Sequence, residues 1–160
     1  MKKAVAASAR ARSWLIKSEP SDYSIDAMQQ DKVTVWDGVR NAVARKHLKA
    51  MQKNDRLLFY HSSCRDVGVV GEVSVCREAY PDPADKTWVV VDVQYERHLQ
   101  YISLDTMKWH KEGALSGLVL LQQPRLSVQP VSEEHYAFIL SLCEDSAAEE
   151  DRAKAKRQRS

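Results

Sequence analysis

No apolar run in this chain approaches the roughly 20 residues needed to span a bilayer, and Met1-Lys2-Lys3 is not followed by the apolar stretch of a secretory leader. Membrane and secreted readings are therefore poor. Cysteine is scarce: Cys64, Cys76 and Cys143 are odd in number, far apart and free of any Cys-x-x-Cys spacing, so neither a disulfide framework nor a zinc site is expected. Reduced thiols fit a cytosolic compartment, or a nuclear one if the source is eukaryotic. Phosphate loops, dinucleotide fingerprints and His-Glu-x-x-His spacings are missing too, and no cofactor or metal is expected. The first dozen residues lack acids while carrying Lys2, Lys3, Arg10 and Arg12 among Ala and Ser. Residues 1–12 read as a disordered basic arm rather than a transit peptide, because nothing in them can pack by itself.

What is present is enough for one core. The 160 residues are 44% hydrophobic, which suits a single domain without staples, expected over 13–143 as a monomer. The net charge of +2 matters less than its placement. Arg40, Arg45, Lys46, Lys49, Lys53 and Arg56 stand against Asp55 alone between positions 40 and 56, making a local basic patch. Residues 144–160 have no apolar periodicity and are expected to be a disordered tail or frayed helix.

Trp14 to Lys17 reads as a strand with Trp14, Ile16 and Ser18 on one face, stopped by Ser18-Glu19-Pro20-Ser21-Asp22. Ser24 to Gln30 fits a short helix capped by Ser24 or Ser21. At 100° per residue, positions 39 to 53 place Val39, Val43, His47, Leu48, Ala50 and Met51 on one side and Arg45, Lys46, Lys49 and Lys53 on the other. Were Asp37 the cap of that helix, Arg40 would lie in its first turn and turn inward. Arg56 to His61, Val67 to Cys76 and Thr87 to Tyr95 read as strands, with Gly68 and Gly71 marking a bulge or close approach. Tyr80 to Asp85 reads as a surface loop and Leu104 to His110 as a short helix. Leu118 to Leu121 and Arg125 to Val128 read as short extended pieces, and Ser132 to Cys143 as a closing helix capped by Ser132. Segregated strands and helices without βαβ alternation predict an α+β fold, a small mixed barrel with helical additions.

His61, Ser62, Cys64 and Asp66 crowd into six residues, yet triad members normally meet from different elements and no nucleophile elbow is present, so catalysis is not expected. Binding a base needs flat rings, edge hydrogen-bonding groups and flanking cations. Trp14, Trp36, Phe59 and Tyr60 offer rings, Ser18, Asn41 and Ser62 offer edges, and Lys17, Arg40 and Arg125 offer charge. Several of these have plainer roles open to them. Trp14 fits a core wall, Asn41 a helix cap, His61 a satisfied strand-end histidine, and Arg40 an ion pair with Glu19 or Asp37.

Trp14-Leu15-Ile16-Lys17-Ser18-Glu19-Pro20, Trp36-Asp37-Gly38-Val39-Arg40-Asn41, Phe59-Tyr60-His61-Ser62, Tyr80-Pro81-Asp82-Pro83 and Arg125-Leu126-Ser127-Val128-Gln129-Pro130 resemble, in content and order, the motifs of the EVE-domain family. The resemblance covers roughly Ser13 to Cys143. It implies a PUA-like pseudo-barrel of mixed strands with flanking helices, related to the YTH readers of methylated RNA. It also implies a non-catalytic binder of modified bases, cytosine derivatives in particular, in DNA or RNA, holding a flipped base in an aromatic-lined pocket. The positions it points to are Trp14, Lys17, Ser18, Trp36, Gly38, Val39, Arg40, Asn41, Tyr60, His61 and Ser62, with Arg125 and Ser127 as a further wall. Arg45, Lys46, Lys49 and Lys53 are expected to meet phosphates. Ala44-Arg45-Lys46 stands where the family pattern leads one to expect Ala-Arg-Asn, an exchange of an amide for a charge on the outer helix face.

Overall fold

The computed structural model describes residues 13–159, so the arm at 1–12 lies outside the described residues. Six strands form one sheet: β1 (Ser13–Ser18), β2 (Val33–Trp36), β3 (Arg56–His61), β4 (Gly68–Pro81), β5 (Val89–Ser103) and β6 (Val128–Val131). Their order is β2-β5-β4-β3-β1-β6, with β1 and β3 parallel and every other pair antiparallel. Helices α1 (Ile25–Asp31), α2 (Ala42–Ala50), α3 (Leu104–Lys108), α4 (Val119–Gln122) and α5 (Glu133–Arg159) flank it. The fold is α+β, and no helix among the described residues is long and apolar enough to cross a membrane.

Strand alternation splits the core in two. Trp14, Ile16, Leu57, Phe59, Val73, Val91 and Val93 join Ile25, Met28, Ala44 and Leu48 on one face. Leu15, Leu58, Tyr60, Val69 and Ile102 join Met107, Leu115, Leu118, Tyr136 and Ile139 on the other. Because side chains of successive strand residues point to opposite faces, central strands buried on both sides read as near-continuous apolar runs, as Leu57-Leu58-Phe59-Tyr60 does. At Gly71 the first residue of α1 packs directly on the sheet: a Cβ there would stand 2.4 Å from Ile25 Cδ1. The register between β3 and β4 shifts beside it, between Phe59 and Tyr60.

Several boundaries differ from the sequence reading. The β4–β5 ribbon is longer than expected at both ends because the pairing of Tyr80 and Pro81 with Val90 and Val89, and of Gly68 with Ser103, supplies backbone partners that local pattern does not reveal. Val33-Thr34-Val35-Trp36 is a strand the reading passed over, although its β-branched run is a strand signal. The piece expected to be extended over Leu118 to Leu121 is helical from Val119 on, with only Leu118 extended as its cap, and β6 starts at Val128 where the next extended piece was expected to end. The helix after Ser132 runs on to Arg159, through the tail expected to be disordered or frayed. Ala, Glu, Lys, Arg and Gln are strong helix formers, so propensity carries the backbone where no apolar face exists, and Ala148 to Gln158 stay exposed.

Candidate functional site

A cavity of about 930 Å³ opens where β1 and β3 end, lined among others by Lys17, Ser18, Tyr23, Trp36, Gly38 and Ser62. Backbone hydrogen bonds fix its walls. Ser62 N donates to Ser18 O at 3.0 Å, tying the ends of β1 and β3, and Lys17 N donates to Ser127 O at 3.0 Å, tying β1 to the segment before β6. Trp36 closes the inner side edge-on to Phe59, ring centroids 5.5 Å apart, and Tyr23 meets it at 6.3 Å. Gly38 holds φ 76°, a left-handed conformation that glycine adopts without the strain an L-residue would carry, and the chain turns there from β2 toward α2.

The polar groups of the cavity differ in how far they are engaged. Ser18 Oγ donates to Tyr23 O at 2.6 Å, and Lys17 Nζ donates to Pro124 O at 2.5 Å while lying 5.5 Å from the Tyr60 ring centre. Burial pushes the Lys17 ammonium below its ordinary range. Burial, and then the hydrogen bond to Asp31, push the Tyr23 phenol up. Glu19, Asp22 and Asp37 on the rim balance Lys17 and Arg125, so the opening is not a strongly positive hole. Its chemistry suits a planar neutral group with donors and acceptors on its edge, packed against the Tyr23–Trp36 pair.

Of the residues singled out in sequence, Lys17, Ser18, Trp36, Gly38, Val39, Ser62, Arg125 and Ser127 line this cavity. Five others sit elsewhere. Trp14 is 3% exposed at the opposite end of β1, with its indole Nε1 donating to Asp55 Oδ2 at 3.1 Å, and is a core wall. Tyr60 faces the second core, where burial raises its phenol far above the ordinary value, and it reaches the site only through Lys17 above it. His61 Nε2 accepts from Ile25 N at 3.1 Å, and burial lowers its pKa, which leaves a neutral ring engaged at that nitrogen. Asn41 is the cap of α2, its side chain accepting from Ala44 N at 2.9 Å.

Arg40 corrects the helical reading. The helix begins at Ala42 with Asn41, not Asp37, as its cap, because the left-handed turn at Gly38 leaves residues 39 and 40 outside the helix and buries Val39. Arg40 therefore points away from the core and pairs with Asp82 Oδ2 at 3.0 Å, not with Glu19 or Asp37. The same delay rotates the helix, so that Ala44 and Leu48 are buried while Val43 and Ala50 are exposed. Lys46, Lys49 and Lys53 are exposed and Arg45 is half-buried, its NH1 donating to Thr87 O at 3.0 Å. The cavity residues that sequence reasoning missed are Tyr23, Asp22, Thr34, Val35, Ser63 and Pro124. An aromatic directly after a proline turn was the one available signal for Tyr23.

Residues 12–142 match the family described as EVE domain. Thymocyte nuclear protein 1 of Rattus norvegicus is 38% identical, the match covering 81% of this chain and 72% of that protein. A hypothetical protein from Leishmania major has a structure superimposing with a TM-score of 0.80 at 35% identity, over 88% of this chain and 99% of the other. Human THYN1 protein, solved in complex with 5-methylcytosine containing DNA, superimposes with a TM-score of 0.78 at 33% identity, over 82% and 97% of the two chains.

Proposed function

The chain belongs to the EVE domain family, and from that premise we propose that it is a non-catalytic reader of modified bases in nucleic acid, a modified cytosine in particular. The observation that carries this reading is the cavity at the ends of β1 and β3, whose Tyr23 and Trp36 rings stand beside edge groups of Ser18, Ser62, Lys17 and Arg125. The DNA held by the human relative supports the same ligand class. A flipped base leaves its stack at a cost of a few kcal/mol, which base–aromatic stacking of roughly 1 to 3 kcal/mol offsets. Among the edge groups, Ser18 and Lys17 are engaged by backbone carbonyls, whereas the Ser62 hydroxyl and the Arg125 guanidinium have no side-chain partner among the described residues, and the hydroxyl is available to hydrogen-bond the base. Lys46, Lys49 and Lys53 on the exposed side of α2 and the turn after it attract the strand without reading it. The protein acts as a monomer, and its relatives' names favour a nuclear location in a eukaryotic source.

The engagement of His61 Nε2 by the Ile25 backbone weighs against a general base in the His61–Asp66 cluster, and favours binding over turnover. The test is to titrate labelled DNA and matched RNA, with modified and unmodified cytosine or adenine, against wild type, Trp36→Phe and Ser62→Ala. Wild type should prefer a modified base, and loss of one hydrogen bond in Ser62→Ala should reduce that preference by about 2- to 12-fold. Equal preference in all three proteins would remove the cavity from recognition. Turnover of the ligand that disappears in Cys64→Ser would overturn the non-catalytic reading.

A further inference from the structure

Arg40 and Arg45 converge on one ring outside the cavity. Their guanidinium carbons lie 5.7 Å and 4.8 Å from the centre of Trp88. The loop carrying Trp88 is closed by its own hydrogen bonds: Asp82 N donates to Trp88 O at 2.9 Å, Trp88 N to Asp85 O at 3.0 Å, and Ala84 N to Asp82 Oδ1 at 2.8 Å. Asp82, 3% exposed, receives Arg40 NH2 at 3.0 Å, while Arg45 NH1 is held by Thr87 O at 3.0 Å. Arg45 has no carboxylate partner among the described residues, so its charge is uncompensated. Two long cationic side chains, normally rich in rotamers, are thus fixed before any ligand arrives.

The position of this pair relative to the cavity follows from the sheet. Trp36 pairs with Val91, and Trp88 lies three residues upstream of Val91, roughly 10 Å along an extended chain. Arg40 follows Gly38 and Val39, both cavity-lining. A strand whose base enters the cavity would carry its neighbouring phosphates past this place.

We propose that Arg40 and Arg45, organised by Trp88, form a phosphodiester clamp that holds the backbone beside the flipped nucleotide. The proposal rests on the base-reading function but assigns Arg40 to the backbone instead of the base. Arg40 NH1 also donates to Val39 O at 3.2 Å; phosphate oxygens take the guanidinium N–H groups that Val39, Asp82 and Thr87 leave free, and the ring face keeps both forks oriented.

Binding of a labelled duplex with one 5-methylcytosine, and of its unmodified counterpart, is to be measured by anisotropy between about 50 and 200 mM salt. Each phosphate contact contributes about 0.9 to the slope of log affinity against log salt. The advantage of wild type over Arg45→Gln should therefore shrink about 3.5-fold across that range, and its advantage over the Arg40→Gln/Arg45→Gln double variant about 12-fold. Both duplexes should be affected equally. Trp88→Leu, which keeps both charges but frees them, should weaken both duplexes by a smaller factor than the double variant does. Arg45→Gln breaks no ion pair and serves if the other variants fail to fold. A salt-independent ratio for Arg45→Gln, or a change in its modified-to-unmodified preference, overturns the clamp. A wild type without base preference whose salt slope still flattens in Arg45→Gln overturns the pocket reading and leaves the clamp. A wild type that binds neither duplex at the lower salt overturns both.

Discussion

Gly38→Ala separates what the backbone requires at the cavity from what a ligand requires. Gly38 has φ 76°, and a Cβ built on it meets nothing within 4 Å. The substitution therefore introduces no clash with the protein, only the left-handed conformation of an L-residue, which costs about 1–2 kcal/mol. Reduced entropy of the unfolded chain returns about 0.4–1 kcal/mol, so the net loss should be about 1 kcal/mol, or about 3–5 °C in Tm for a domain of this size. Gly117 provides the control: its φ is 84°, its Cβ position is equally open, and it does not line the cavity. Urea unfolding should give both alanine variants the same lowered midpoint with an unchanged slope. Binding should part them. A methyl group intruding on a filled pocket costs about 1–3 kcal/mol, so Gly38→Ala should bind a modified-cytosine duplex about 5- to 150-fold more weakly, and Gly117→Ala like wild type. Equal affinity of the two variants would refute close approach of ligand to backbone at Gly38, and a Gly38→Ala protein as stable as wild type would refute the conformational argument.

Two further perturbations test the packing behind the site. Glu72, 6% exposed, accepts from Arg56 NH2 at 2.7 Å, Arg97 Nε at 3.1 Å and Tyr136 Oη at 2.5 Å; burial pushes its carboxyl up, but the hydrogen bonds from Tyr136 and Arg56 outweigh this and leave it below its ordinary 4.5. A lowered carboxyl stabilises the fold above the unfolded value and loses that contribution as pH falls through the folded one, so Glu72→Gln should lose about 1–3 kcal/mol at neutral pH and approach wild type as the pH falls below the ordinary carboxyl value, with a difference in urea midpoint that does not shrink on acidification counting against the network. Asn41→Ala should lose about 1 kcal/mol as α2 loses its cap, with modification preference unchanged in titration; a lost preference would return Asn41 to the ligand.

Much of the site is written locally. Ser18 ends one strand and Ser62 follows another, both recognisable from their own runs, and Ser24 caps the helix expected after it. Arg40 and Tyr60 show why the rest was not. Helical phase was a sound guide for Leu48 and Met51, but one left-handed residue at Gly38 delayed the helix start and reversed the direction of Arg40. Tyr60 sits one position from His61, and in a strand one position is the difference between two faces of the sheet.

Periodicity, turn chemistry and motif order were thus sufficient for the α+β class, for the tracts that meet at the cavity and for the family to which they belong, because each depends on neighbours within a few residues. Which rings face the opening, where Arg40 finds its carboxylate and how Trp88 gathers two arginines depend on contacts more than 40 positions apart, between Arg40 and Asp82 and between Arg45 and Thr87. No local pattern encodes those partners; they exist because β2 pairs with β5 and brings the loop before Val89 against the chain that follows Trp36.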